Sequence, residues 1–208
     1  MRLVCWLALS TCCVPPARAQ DTLARFGTTV VIPDGLRGQV YHIKNGAERL
    51  PDFGKLKPKG TIYTTSLNVQ SQPFNQGFPG VSKRFEWFAI DYNGYFYISQ
   101  PGKYRFVVAS DDGSKLYIDD RRVIDNDGLH PAKAEQCRVN LKGGIHTLRL
   151  SYFQGPRTHL ALMLGVARPG QDWKIFSTND FQPPRNPEDW HFGEYNKLPP
   201  LSTAGRKK

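Results

Sequence analysis

Residues 85–108 read FEWFAIDYNGYFYISQPGKYRFVV, and the fold turns on how this stretch is read. Phe85 to Tyr92 and Tyr95 to Ser99 are dense in aromatic and β-branched residues, which pack well on a pleated sheet. Asn93-Gly94 between them is a strong signal for a two-residue hairpin, because both residues tolerate the left-handed backbone that such a turn demands. The reading predicts two strands joined at Asn93-Gly94, then a Pro101-Gly102 turn into a third strand from Tyr104 to Val108.

The same grammar extends outward. Lys115 to Ile118 and Arg122 to Ile124 flank Asp119-Asp120-Arg121, a second tight hairpin. Arg138 to Leu141 leads through Gly143-Gly144 into Ile145 to Phe153. That run alternates, with His146, Leu148, Leu150 and Tyr152 on one face and Ile145, Thr147, Arg149 and Ser151 on the other. His159 to Val166 is continuously apolar, which suits a strand covered on both faces. Upstream, Val40 to Ile43 and Thr61 to Thr64 read as short strands. Residues 65–84 show no period and read as a long loop. Helical periodicity and internal repeats are lacking. Short strands at close spacing argue for an all-β antiparallel sandwich or barrel with short hairpins and long surface loops.

The chain has 208 residues, with Lys+Arg 28 against Asp+Glu 18 and aromatic residues at 12%, too aromatic for a disordered segment. Residues 1–19, MRLVCWLALSTCCVPPARA, carry a positive start, an apolar run, Pro15-Pro16 and an Ala17-Arg18-Ala19 cleavage pattern. They read as a signal peptide, too short to span a bilayer. A lipid anchor on Cys12 is the lesser alternative, since Thr11 fits poorly before it. Cleavage after Ala19 removes Arg2 and Arg18, lowering the net charge of +10 by two, and removes three of four cysteines. Cys137 alone then remains, so no intrachain disulfide can form. Residues 20–34 are a lead-in, 35–182 one β domain, and 183–208 a Pro-rich basic tail that Trp190 and Phe192 could pin.

The order Ser110-Asp111-Asp112-Gly113-Ser114, Leu116-Tyr117-Ile118-Asp119 and Gly143-Gly144-Ile145-His146, with Gly35 to Tyr41 ahead of it, resembles the PA14 domain family over about Gly35 to Val166. The resemblance implies a β-sandwich found in toxins, glycosidases, adhesins and other secreted proteins. It also implies carbohydrate binding, in some members through calcium held by two consecutive aspartates often joined by a cis peptide. Asp111 and Asp112 match that pair. Adjacent carboxylates repel unless something positive neutralises them, and calcium takes oxygen ligands. The resemblance places a second ligand loop at Gln154-Gly155-Pro156-Arg157. This chain has Gln154 where other members often have Asn, and Arg157 nearby. Gln154 could offer its side-chain oxygen and Gly155 its backbone carbonyl as metal ligands.

Asp-Asp-Gly is also a plain turn former, and that reading stands beside the calcium reading. Asp125-Asn126-Asp127-Gly128 lacks the closing Glu of an EF-hand and reads as a hairpin turn. His130 in the following loop, Arg157 and Tyr92 are candidate ligand contacts, with Phe74 and Phe78 as alternative aromatic platforms for sugar C–H faces.

No G-x-S-x-G, H-E-x-x-H or phosphate loop is present, and no pair of acids is placed for glycosidase work, so the chain reads as non-catalytic. Nor does the sequence show a basic stripe interleaved with aromatics, which argues against nucleic acid. The expected function is a secreted or envelope lectin-like module, with Ca2+ as an optional cofactor and a glycan, neutral or anionic, as partner. The alternative is an envelope interaction module on the same scaffold without calcium or sugar.

Overall fold

The computed structural model describes residues 34–81, 84–156 and 158–186. The expected signal peptide at residues 1–19, most of the expected lead-in, Arg157, Trp190, Phe192 and most of the expected tail lie outside them. Eleven strands are described: β1 (Leu36–His42), β2 (Gly60–Thr64), β3 (Asn68–Pro73), β4 (Phe88–Ile98), β5 (Gly102–Asp111), β6 (Ser114–Ile118), β7 (Arg121–Asn126), β8 (Lys133–Leu141), β9 (Gly144–Gln154), β10 (His159–Ala167) and β11 (Lys174–Ile175). They form an antiparallel six-stranded sheet, β2-β1-β4-β9-β6-β7, and a second sheet, β11-β10-β5-β8, with β3 also on β10. Among the described residues no helix is long and apolar enough to cross a membrane.

The expected hairpin at Asn93-Gly94 does not form. β4 runs straight through it, with Asn93 opposite both Arg37 and Arg149 and Gly94 opposite Leu148. β4 is central and hydrogen-bonded on both sides, and that ladder overrides the local turn preference. Gly94 is needed for space instead, since a Cβ there would lie 2.7 Å from Leu36 Cδ2. Asn93 points outward, its Nδ2 donating to Asp91 Oδ2 at 3.2 Å. The second hairpin does form. Asp119 and Asp120 take φ of 50° and 60°, the left-handed pair a two-residue turn requires. The loop at 65–84 is also corrected, because β3 lies within it and pairs with β10. Its polar sequence hid it, as only Val69 of β3 is buried.

The core lies between the sheets. Leu148, Leu150 and Tyr152 of β9 point inward against Phe106 and Val108 of β5 and Leu162 and Leu164 of β10. At one end Phe96 packs edge-on against Phe106, Phe176 and Phe181 at ring distances of 6.4, 5.7 and 5.9 Å. At the other end Phe78 stacks on Tyr152 at 5.3 Å. A smaller cluster of Tyr41, Ile43, Phe53, Ala89 and Phe153 covers part of the six-stranded sheet's outer side. Asp127 ties that cover down: its Oδ1 accepts from the Leu50 N–H at 2.8 Å and its Oδ2 from Lys115 Nζ at 2.7 Å. The Asp125–Gly128 run is therefore the end of β7 plus an anchor, and not a hairpin turn. Cys137 sits half-buried in β8, its thiol pushed up by burial and away from the reactive thiolate form.

His146 fastens the second hairpin. Its Nδ1 is 2.7 Å from Asp119 Oδ2 and its Nε2 is 3.0 Å from the Lys142 carbonyl. Both partners only accept, so the doubly protonated ring satisfies both. Burial lowers the His146 pKa, but the hydrogen bonds and charge of Asp119 and the Lys142 carbonyl outweigh it, leaving the pKa raised. A raised histidine contributes stability that is fully present below its unfolded value of 6.5 and is lost as pH rises through the folded value. Urea midpoints of the wild type should thus fall as pH rises above 6.5, while His146→Gln gives a flatter profile. Equal slopes would show that the ring does not carry this dependence.

Candidate functional site

The site is built where β5 ends beside the end of β9 and the loop after β7. Asp111 is the last residue of β5, and the Asp111–Asp112 peptide is cis. Both aspartates are buried, each 5% exposed. Asp112 draws the neighbouring loops together. Its Oδ2 accepts from the Gly155 N–H at 2.8 Å and its Oδ1 from the His130 N–H at 3.1 Å. The Asp111 carboxylate accepts from the Ala132 N–H. Below them, Ser110 Oγ and Ser114 Oγ are 2.7 Å apart, and Asn126 Nδ2 donates to Ser110 Oγ at 3.0 Å. Gly113 has room only because it lacks a side chain, since a Cβ would meet Gly128 N at 2.7 Å.

Among the described residues no lysine or arginine forms an ion pair with either aspartate. Burial, then the charge of Asp112, raises the Asp111 pKa to about 6. Burial raises Asp112 as well, against the opposing Gly155 and His130 N–H groups. Two buried carboxylates that no lysine or arginine among the described residues pairs with fit a hard cation, and each Asp112 oxygen keeps a lone pair beyond the N–H it accepts.

The other sequence-derived candidates are placed differently. Gln154 is wholly buried. Its Oε1 lies 2.7 Å from Tyr152 Oη, and its Nε2 donates to the His159 carbonyl at 3.1 Å. Tyr152 Oη is also 2.7 Å from the Asp111 carbonyl, so Gln154 buttresses the loop from beneath. Gly155 presents its N–H to Asp112, while its carbonyl accepts from the Trp87 N–H at 3.3 Å. Trp87 reaches that carbonyl with a φ of 56°. The expected second-loop oxygens are thus engaged elsewhere.

His130 comes to the site by its backbone. Its ring nitrogens lie 2.9 Å from the Asn126 and Pro131 carbonyls and lock the loop. Tyr92 is corrected: it is fully buried at 0% exposure and no surface platform. Phe78 is likewise core, at 2%. Arg157 lies outside the described residues. Sequence reading missed Leu129, which is 42% exposed and leans over Gly155, 2.5 Å from where a Cβ would be. It also missed the three backbone donors, which no side-chain pattern announces.

Residues 56–176 match the family model described as the PA14 domain. In structure the chain is similar to a PA14 sugar-binding domain from an RTX adhesin, with TM-score 0.57 and 19% identity, covering 70% of this chain and 96% of that one. It is similar to the PA14 domain of the MpAFP antifreeze protein, with TM-score 0.57, 18% identity and coverage of 72% and 93%. An anti-sigma factor domain-containing protein from Clostridium clariflavum is similar at TM-score 0.56 and 19% identity, over 82% of this chain and 53% of that one. No curated protein matches the sequence. With the family model spanning more than half of its residues, and a two-sheet β architecture that agrees, this chain belongs to the PA14 domain family.

Proposed function

We propose that the chain is a non-catalytic carbohydrate-binding module that takes its sugar at the Asp111–Asp112 pair, with calcium as the bridging cation. The observation that carries this reading is the buried carboxylate pair, which has no lysine or arginine partner among the described residues and is held by three backbone N–H groups from two further loops. The name of the RTX adhesin domain, a sugar-binding PA14 domain, supports it. Asp111 and Asp112 would hold the ion, and since calcium takes about six to eight oxygens, ligand hydroxyls and water would supply the rest. Bound there, the ion supplies positive charge that accepts vicinal sugar hydroxyls. The exposed Leu129 offers an apolar surface beside the pair for ring C–H groups.

A glycan panel probed with labelled chain tests this. The expected result is binding to a discrete set of glycans in calcium, lost on chelation and lost in Asp111→Ala/Asp112→Ala. A blank panel, or binding indifferent to both changes, would sink the assignment and favour a protein-interaction module.

A further inference from the structure

The antiparallel register of β5 and β8 sets Arg105 directly opposite Arg138. Alternation turns Tyr104, Phe106 and Val139 into the core, so Lys103, Arg105 and Arg138 face outward. Among the described residues none of these three cations has a carboxylate within ion-pair distance. Like charges directly opposite on a sheet repel, so the arrangement costs stability while unliganded.

Trp173 lies beside them, 39% exposed, with the Arg105 guanidinium 4.8 Å from its ring centroid. Gly165 on β10 makes room for Val107, since a Cβ there would sit 2.7 Å from Val107 Cγ1, and it lies within ordinary contact distance of the indole, at 3.8 Å from Trp173 Cε3. Arg105 is further fixed by Nη2 donating to the Gln171 carbonyl at 3.1 Å, which leaves other N–H groups of its fork unused. A planar guanidinium fork matches a carboxylate or sulfate, and an indole face accepts sugar C–H groups.

From this combination we infer a second binding site, on the outer face of the five-stranded sheet that contains β5 and β8, for an anionic polysaccharide bearing uronate or sulfate groups. It is distinct from the Asp111–Asp112 pair: Arg105 and Asp111 are separated by roughly 20 Å along β5 at about 3.4 Å per residue. The net charge, +10 for the whole sequence and two lower after the expected cleavage, favours an anionic partner. Residues 103, 105, 138 and 173 are scattered in sequence, which is why no basic stripe was legible there.

Affinity electrophoresis in gels containing polygalacturonate, with neutral dextran as the reference, reads this out. The chain is expected to be retarded by polygalacturonate alone. Arg105→Ala/Arg138→Ala and, separately, Trp173→Ala should each weaken binding roughly tenfold or more. Lys57→Ala/Lys59→Ala removes the same charge from another exposed segment and should change binding by less than about twofold. Retardation should persist in the presence of chelator, which separates this site from the aspartate pair. Absence of retardation, equal weakening by the Lys57/Lys59 change, or tighter binding to duplex DNA would each overturn the assignment.

Discussion

Calcium at millimolar concentration should raise the melting temperature of the chain, and Asp111→Ala/Asp112→Ala should abolish the rise. The reason lies in the raised pKa of Asp111, about 6, caused first by burial and then by the Asp112 charge. Between the ordinary aspartate value of 3.8 and about 6 the folded state binds more protons than the unfolded state, so stability falls as pH rises through that window. Above it, two ionised carboxylates sit side by side and a bound cation relieves them. At a free calcium concentration about a hundred times the dissociation constant, stabilisation is about 2.7 kcal/mol. For a chain of this size that corresponds to roughly 5–10 °C. Coincident melts with calcium and with chelator at pH 7.5 would remove the cation from the site. The variant also strips the acceptors for the Gly155, His130 and Ala132 N–H groups, so its melt in chelator must be measured as its own baseline.

Phe96→Ala carries the other large effect. Phe96 is 2% exposed and its ring meets Phe106, Phe176, Phe181 and His146. Truncation removes buried area and leaves a cavity lined by rigid rings that collapse poorly, costing about 3–5 kcal/mol. The urea midpoint should fall by that loss divided by the slope, with the slope itself unchanged. Phe85→Ala, at a position 46% exposed, should cost no more than about 0.5 kcal/mol. A Phe96→Ala loss below about 1 kcal/mol would mean that Phe176 and Phe181 close over the gap. Phe96 stacks beside His146 at 5.5 Å, so this variant should also weaken the pH dependence attributed to that ring.

Much of the fold was legible because its signals are local. The alternation of β9 put Leu148, Leu150 and Tyr152 on the inner face, as observed. The Asp119-Asp120 hairpin followed from backbone chemistry at two residues. The aspartate pair was legible because two carboxylates in sequence are also neighbours in space. The misreadings share a different cause. Asn93-Gly94 looked like a turn because local preference cannot see β1 and β9 pairing on either side of β4. Tyr92 looked like a platform because that turn would have exposed it. Gln154 and Gly155 looked like metal ligands because residue type does not say where a carbonyl points; Tyr152 and Trp87 engage those oxygens from other parts of the chain.

By itself, then, the sequence determined the all-β class, the inner faces of its strands and the position of the buried acidic pair. All of these follow from side-chain period and residue type over a few positions. Only the tertiary structure decided which oxygens and N–H groups surround Asp111 and Asp112, and that Lys103, Arg105, Arg138 and Trp173 share one surface. Those arrangements depend on strand order and register across long sequence separations, where hydrogen-bond ladders and core packing outweigh any preference a short stretch can express.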